Sequence, residues 1–303
     1  MQIHGIHIED TFAEAFPMRG ARVVITAVTP KWARTAAQVM TGFATSVIGC
    51  KIEAAVERDL APDETPDGRP GTSVLAFTMD RESLGKRLIE RIGQTVLTCP
   101  TTACFDGLPA APDRLDAGKA LRTFGDGFQA SKVVERTRYW RIPVMEGEFL
   151  IEESFGTLKG VGGGNFLILA RDDRSALAAA ERAVEAMAGM PGVILPFPGG
   201  IVRSGSKVGS KRYKGMTAST NDAFCPTLRA VTESALPDDV GSVLEIVLDG
   251  LDAPAIAAAM RRGIVAACGD GVVRITAGNY GGKLGPHHFH LHEIVRDAAG
   301  DAS

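Results

Sequence analysis

The order of apolar segments is the feature that most constrains the fold of this chain, because one strand–helix pattern occurs twice. Apolar residues at every second position indicate strands, and apolar residues three and four apart indicate helices. The first half reads as strand, helix, strand, strand, helix, strand at residues 21–27, 31–40, 45–48, 72–77, 82–92 and 94–97. The second half reads the same way at residues 165–169, 175–187, 192–195, 241–250, 253–267 and 272–276.

Two consecutive βαββαβ units predict an α+β fold with two related lobes. Each lobe is expected to be a ferredoxin-like split βαβ sandwich, in which helices cover one face of an antiparallel sheet. The length of 303 residues also favours two lobes over one core. We expect an N-terminal lobe at residues 1–147, with an inserted arm within 105–147, and a C-terminal lobe at 148–303 that carries the site.

Composition excludes several classes of function. A net charge of -3 without a basic run, together with two Trp and three Tyr, argues against nucleic-acid binding. No apolar stretch reaches the roughly 18 residues of a membrane helix, and the N-terminus lacks the pattern of a signal peptide. The five cysteines are odd in number and form no CxxC motif, which is typical of reduced thiols. These observations predict a cytoplasmic protein without a membrane partner.

Glu245 is the strongest candidate for catalysis. On a strand, it shares one face with Val243 and Val247, while the alternate residues of the segment are all apolar. A carboxyl group that loses water in such a place has a raised pKa and can act as a general acid near neutral pH. The alternative is an ordinary strand whose glutamate points into solvent, because Glu is seldom buried without a partner.

Glycine-rich segments at residues 160–165, 196–201 and 277–283 lie near the ends of predicted strands and suggest a cleft in the second half. Glycine lets a backbone approach a ligand closely, although a single such segment is usually only a turn. Two further polar segments, at residues 204–211 and 219–226, offer groups for an acidic ligand or are simply solvated loops. The substrate-binding candidates from these segments are Gly163, Gly164, Asn165, Gly199, Gly200, Lys207, Ser210, Lys211, Asn221, Gly281, Gly282 and Lys283.

Metal and nucleophile chemistry have weaker support. His288, His290 and His292 would share one face of a strand, where they form either a zinc site or, as we favour, a polar face turned to solvent. No further ligand cluster is evident, so we predict no metal. A GxSxG motif is absent, and Cys99 and Cys225 have no evident histidine partner.

The sequence resembles the formylmethanofuran–tetrahydromethanopterin formyltransferases of methane-producing archaea and methylotrophic bacteria. The resemblance runs nearly end to end, and its motifs occur in the family's order. They lie at residues 8–16, 41–48, 64–71, 124–127, 163–166, 197–202, 206–211, 218–227, 245–247 and 278–285.

The resemblance implies reversible transfer of a formyl group between the amine of methanofuran and N5 of tetrahydromethanopterin or dephospho-tetrahydromethanopterin, within the formaldehyde oxidation of methylotrophs. It implies no prosthetic group, with both coenzymes as substrates, and it places the family's key acid at Glu245. It further implies a homotetramer with the methanofuran cleft at a subunit interface, and an association with formylmethanofuran hydrolase subunits. The alternative is a non-catalytic scaffold subunit of such a complex.

Overall fold

The computed structural model describes residues 1–296 of the chain. The strands are Gln2–Ile3 (β1), Ile6–Ile8 (β2), Phe12–Thr26 (β3), Glu53–Leu60 (β4), Gly71–Thr78 (β5), Ala103–Asp106 (β6), Asp113–Leu115 (β7), Ala130–Val134 (β8), Thr137–Val144 (β9), Gly147–Glu152 (β10), Phe155–Ala170 (β11), Val193–Ile194 (β12), Lys207–Val208 (β13), Ala218–Ser219 (β14), Ser242–Gly250 (β15), Val272–Thr276 (β16) and His287–His290 (β17). The α-helices are Pro30–Thr41 (α1), Val47–Cys50 (α2), Arg81–Arg91 (α3), Ala117–Leu121 (α4), Asp173–Met187 (α5), Ala253–Ala267 (α6) and Leu291–Arg296 (α7).

The N-terminal lobe is the predicted βαββαβ unit, formed by β3, α1, β4, β5, α3 and β6. Its strands lie in the order β6–β3–β5–β4, and each neighbouring pair is antiparallel. Ala36 and Met40 of α1 and Leu84 and Leu88 of α3 pack against one face of this sheet. The ferredoxin-like arrangement predicted from the sequence is therefore confirmed for this lobe.

Two strands of this lobe were predicted at the wrong place. Residues 45–48 enter the helical turn α2, where the Ser46 hydroxyl accepts the N–H of Ile48 at 3.3 Å, and the strand follows at β4. Residues 94–97 belong to a π-helical extension of α3, Ile92–Val96, and the strand follows at β6. Ile92 and Val96 are both buried, because four residues apart on a helix they face the same core. Short β-branched runs of this kind have no periodicity that separates strand from helix.

The C-terminal lobe repeats the unit with β11, α5, β12, β15, α6 and β16. The strand order is β16–β11–β15–β12, and the pairs are again antiparallel. Asp172 and Asp252 are the N-cap residues of α5 and α6, and each carboxylate accepts a backbone N–H of the first turn at 2.8 Å. The two helices cover the face of the sheet that carries Phe166 and Ile246. Helices α5 and α6 do not cover the opposite face of this sheet.

The two sheets are joined because β3 and β11 are long enough to cross both lobes. Residues 16–20 of β3 pair with residues 158–162 of β11, so the lobes share one continuous sheet. The first residues of β3 pair with β17, and β2 pairs with β16, which places the N-terminus of the chain in the C-terminal lobe's sheet. The division at residue 147 stays a prediction, and residues 297–303 of the predicted second lobe lie outside the described residues.

The predicted arm within residues 105–147 contains β7, α4 and the hairpin of β8 and β9. Strand β7 pairs with β11, whereas the hairpin continues the sheet beyond β10. All five residues of β8 are exposed at the end of the sheet. Across residues 1–296, no helix combines the length and apolar character needed to cross a membrane.

Candidate active site

A cleft of about 830 Å³ lies between the lobes, on the face of the C-terminal sheet that α5 and α6 leave uncovered. The N-terminal lobe contributes the turn at residues 46–49, together with Glu53 and Met79. The C-terminal lobe contributes strand residues and three loops, at residues 197–207, 218–224 and 276–280. The sequence prediction of a cleft lined by the second half therefore agrees with this geometry, although the first lobe completes its wall.

Glu245 is half-buried on the wall of this cleft, in β15. It lies opposite Leu167 of β11, and its backbone exchanges two hydrogen bonds with Val202, at 2.7 and 3.0 Å. Neighbouring Ile246 and Leu248 point the other way, into the core beneath α5 and α6. The alternation read from the sequence is thus correct, and Glu245 faces a cleft and not an open surface.

Burial raises the pKa of Glu245 from its ordinary 4.5 to about 7. Among the described residues, none donates a hydrogen bond to its carboxyl group, so nothing offsets the loss of water. A sizeable fraction of Glu245 is therefore protonated at neutral pH. A protonated carboxyl group in a cleft can donate a hydrogen bond or a proton to a substrate.

A second buried acid, Glu14 of β3, shapes the same cleft and was missed in the sequence. It is only 1% exposed, and it accepts four backbone N–H groups, those of Tyr280, Gly282, Leu284 and Gly285, at 2.6–2.9 Å. Burial alone would raise the pKa of Glu14, but these four donors lower it to about 2. The one available signal was a single charge among apolar residues in the segment 12–16, the same signal that singled out Glu245.

Four glycines of the glycine-rich segments, Gly163, Gly278, Gly281 and Gly282, already donate their N–H groups within the protein. The N–H of Gly163 is donated to Asp249 at 3.1 Å, and that of Gly278 to Asn165 at 2.6 Å. The N–H of Gly281 is donated to Asn279 at 3.1 Å, and Glu14 accepts that of Gly282. These four N–H groups are therefore used within the protein and are not free to stabilise an oxyanion.

The segment 160–165 also differs from its predicted position at a strand end. It lies inside β11, where the pairing with β15 shifts between Gly162 and Gly164 to form a β-bulge. Gly163 at the bulge has φ +85°, which a residue with a side chain rarely adopts. The bulge turns Gly163 toward the cleft, while the Cα of Gly164 faces Leu248 and Ile256 in the core.

The structure brings five of the predicted site residues into the cleft wall and leaves eight outside it. Those that line the cleft are Glu245, Gly163, Asn165, Lys207 and Asn221. Those outside its wall are Gly164, Gly199, Gly200, Ser210, Lys211, Gly281, Gly282 and Lys283. Gly281, Gly282 and Lys283 belong to the loop whose backbone N–H groups are bound by Glu14.

The two lysines of the polar segment share one carboxylate. Lys207 and Lys211 both form ion pairs with Asp222, and the Lys211 pair measures 2.8 Å. Hydrogen bonds from these lysines lower the pKa of Asp222, and the bond to Asp222 raises the pKa of Lys211. Much of the positive charge predicted for an acidic ligand is therefore already balanced within the protein.

Tyr280 is a further polar residue in the cleft that sequence reasoning did not select. Burial is the main cause that raises the pKa of the Tyr280 phenol, and the negative charges of Glu245 and Glu14 raise it further. The phenol thus stays protonated across the physiological range and lies within electrostatic reach of Glu245. A loop position gave no periodic signal from which its burial could be predicted.

The predicted solvent-facing histidine face is formed in part: His288 and His290 are exposed on β17, but that strand ends at His290 and His292 lies in α7. The rings of His288 and His290 both pack against Phe12, whereas a ring nitrogen of His292 lies 2.8 Å from the carbonyl of Ile8. Within residues 1–296, no group of three His, Cys, Asp or Glu side chains is arranged to hold a metal ion. The absence of a functional metal stays a prediction.

A partly protonated carboxyl group in a cleft between two α+β lobes is typical of enzymes that act on a polar group by hydrogen bonding or proton transfer. Comparison with known proteins identifies the family. Residues 1–144 match the family described as formylmethanofuran–tetrahydromethanopterin formyltransferase, and residues 147–294 match its proximal lobe. The chain belongs to the formylmethanofuran–tetrahydromethanopterin formyltransferase family and is a transferase, so the resemblance read from the sequence is confirmed.

Relatives match along almost the whole chain. The formylmethanofuran–tetrahydromethanopterin formyltransferase of Methylobacillus flagellatus is 60% identical, over 97% of this chain and 100% of its own length. The solved structure of the Methanosarcina barkeri formyltransferase is 51% identical with a TM-score of 0.92, covering 97% of this chain and 100% of that one. The formyltransferase/hydrolase complex of Methylorubrum extorquens, solved with methylofuran, contains a chain 54% identical with a TM-score of 0.94, covering 97% and 98%.

Proposed function

We propose that this chain transfers a formyl group reversibly between the amine of methanofuran and N5 of tetrahydromethanopterin, or of its dephospho form, in the cleft that Glu245 lines. The observation that carries the proposal is a half-buried carboxyl group with a pKa of about 7 and no donor among the described residues. The family's name gives the two coenzymes, and the cleft that Glu245 lines supports the proposal that their reactive nitrogen atoms meet there. No prosthetic group is required, because the formyl group passes from one nitrogen to the other.

The reaction begins with attack of the acceptor amine on the formyl carbon. A C–N bond forms, and the formyl oxygen gains negative charge in a tetrahedral adduct. The proton on Glu245 is first hydrogen-bonded to that oxygen and then moves to the departing nitrogen as the second C–N bond breaks. The incoming amine then releases its own proton, which returns Glu245 to the neutral form. Because Glu245 is in part protonated at neutral pH, it can serve both directions of transfer.

Acidic parts of the coenzymes would approach the loops at residues 204–207 and 221–224. Lys207 and Asn221 line the cleft, and the Lys207 ammonium is held by Asp222. A ligand carboxylate would therefore compete with Asp222, or bind beside it to Lys211, whose side chain is 80% exposed. The remaining predicted contacts, among them Ser210 and Lys283, would act at the cleft's margin.

We further propose that the chain is a cytoplasmic homotetramer that also associates with formylmethanofuran hydrolase subunits. Strand β8 is the edge strand of the sheet in the part of the chain that the structure describes, and the exposed apolar residues Phe128, Val133, Val134 and Met145 lie on the same arm. The Methylorubrum extorquens relative occurs in a formyltransferase/hydrolase complex, which supports the hydrolase partner. Light scattering of the purified chain tests the first part, since a monomer at micromolar concentration would contradict it.

The decisive experiment is a transfer assay with the purified chain and both coenzymes, in each direction. The proposal expects turnover by the native chain, alone or with hydrolase subunits, and strong loss in Glu245→Gln. Full binding of both coenzymes without any transfer would instead favour the non-catalytic scaffold. Glu181→Gln on the exposed face of α5 is the matched control, because it removes a carboxylate far from the cleft.

A further inference from the structure

Two buried carboxyl groups from different lobes meet at the side of the cleft, away from Glu245. Glu53 of β4 is 9% exposed, and Asp249 of β15 is fully buried. Their side chains are within hydrogen-bonding distance of each other. Carboxylates carry only acceptors, so two of them bond directly only when one holds a proton.

The remaining contacts show where that proton is needed. One oxygen of Asp249, Oδ1, accepts the N–H of Gly163 at 3.1 Å. The other, Oδ2, is buried and has no hydrogen-bond donor in the part of the chain that the structure describes. Glu53 accepts the N–H of Val47 at 3.0 Å. A shared proton would satisfy Oδ2 and leave each carboxyl group to hold one backbone N–H.

The charges around the pair also favour one proton. Glu53 is faced by Ser46 and Val47 from α2, and Asp249 is faced by the N–H of Gly163 from β11. Within residues 1–296, the groups that shift the pKa of Glu53 and Asp249 include no lysine or arginine. The other charged residues that line the cleft are Glu9, Glu14, Glu245 and Lys207. Burial raises the pKa of both acids, and for Asp249 the charge of Glu53 raises it further.

We propose that Glu53 and Asp249 are positioning residues for formyl transfer: a proton-sharing pair that fixes the turn at residues 46–49 and the bulge at Gly163 as the two sides of one cleft wall. The link continues from Gly163, whose carbonyl accepts the Asn165 amide at 3.0 Å, and from Asn165 to Gly278. Loss of the shared proton would place two negative charges in contact and separate the lobes at this wall. The proposal rests on the cleft being the transfer site.

The test compares the wild type with Glu53→Gln from neutral to alkaline pH. A glutamine keeps the acceptor for Val47 and supplies a permanent N–H to Asp249, so the link no longer depends on a shared proton. We expect the KM values of the two proteins to agree at neutral pH. At alkaline pH the wild-type KM should rise on the order of tenfold above that of the variant, as the pair loses its proton. A fall of kcat that occurs in both proteins would be attributed to deprotonation of Glu245.

Two controls complete the test. Glu53→Ala removes both hydrogen bonds and should raise KM at every pH, so an equal rise in Glu53→Gln at neutral pH would overturn the proposal. Parallel KM profiles for the wild type and Glu53→Gln would also overturn it. Hydrogen exchange at the Val47 and Gly163 amides, compared between the two proteins at each pH, should show faster exchange in the wild type at alkaline pH. That readout needs no turnover, so it separates failure of the pair from failure of the transfer proposal.

Discussion

Glu14 and Glu245 are both acids on strands beside one cleft, yet their environments give them opposite protonation states. Glu14 receives four backbone N–H groups and has a pKa of about 2, whereas Glu245 receives no hydrogen bond from the described residues and has a pKa of about 7. Both groups lose water on folding, so burial alone does not decide the state. The number of donors that reach each carboxyl group does.

The donors to Glu14 come from residues 280–285, more than 260 positions along the chain. All of these donors are backbone N–H groups of one loop, and their hydrogen bonds to the charged Glu14 carboxylate hold that loop in place. Glu245 lies where the sheet face is open to substrate, so the group that completes its hydrogen bonding would be the substrate. Glu14 therefore holds a loop of the cleft in place, whereas Glu245 is available to act on the substrate.

Replacement of Glu245 should give the largest effect. Glu245→Gln keeps the side chain's shape but cannot give up a proton, so we expect turnover to fall by about 10²–10⁴-fold. Steady-state rates with both coenzymes measure this change, and Glu181→Gln should leave them unaltered. Near-normal turnover in Glu245→Gln would remove the mechanism while leaving the family assignment intact.

Glu14→Gln should instead act on stability. In the glutamine, an NH₂ group replaces one carboxylate oxygen, so two of the four backbone N–H donors lose their acceptor. We therefore expect a loss of about 4 kcal/mol in the free energy of unfolding. Urea denaturation at neutral pH measures it. Glu245→Gln in the same experiment should be as stable as the wild type or more so. Equal destabilisation by both variants would erase the distinction between the two acids.

The pH dependence of stability should have opposite signs for the two residues. The pKa of Glu245 is raised in the folded state, so its folded form binds more protons and stability falls as pH rises from about 4.5 to about 7. Relative to Glu245→Gln, the wild type should lose at most about 3 kcal/mol across that window. For Glu14 the contribution is present above about 4.5 and is lost as pH falls toward 2. Denaturation curves at several pH values test both signs.

The smallest effect should come from chelators. His292 contacts the carbonyl of Ile8 and lies on a different element from His288 and His290, so these side chains do not converge on an ion. We expect metal analysis to find no stoichiometric zinc and a chelator to leave turnover unchanged. Zinc bound near one per chain would show that the histidines serve a purpose other than packing.

The fold was largely predictable because periodicity along strands and amphipathic helices is a local property. Both βαββαβ units follow from this periodicity, and so does the position of Glu245 on the sheet face opposite Ile246 and Leu248. The misplaced segments, 45–48 and 94–97, are too short for periodicity to decide. Sequence could not show that β3 and β11 join the sheets, nor that N–H groups of the glycine loops are bound within the protein. Those depend on contacts between distant residues, such as Glu14 with Gly285.

The central claim is that Glu245 holds a proton near neutral pH because nothing in the protein replaces its lost water. The most direct measurement is a carbon-13 NMR titration of the glutamate carboxyl groups, with the Glu245 signal assigned by its absence in Glu245→Gln. We predict a midpoint at pH about 7 for that signal, as burial without a donor requires. A midpoint near the ordinary value of 4.5 would mean that Glu245 is a hydrated carboxylate, and would contradict the account.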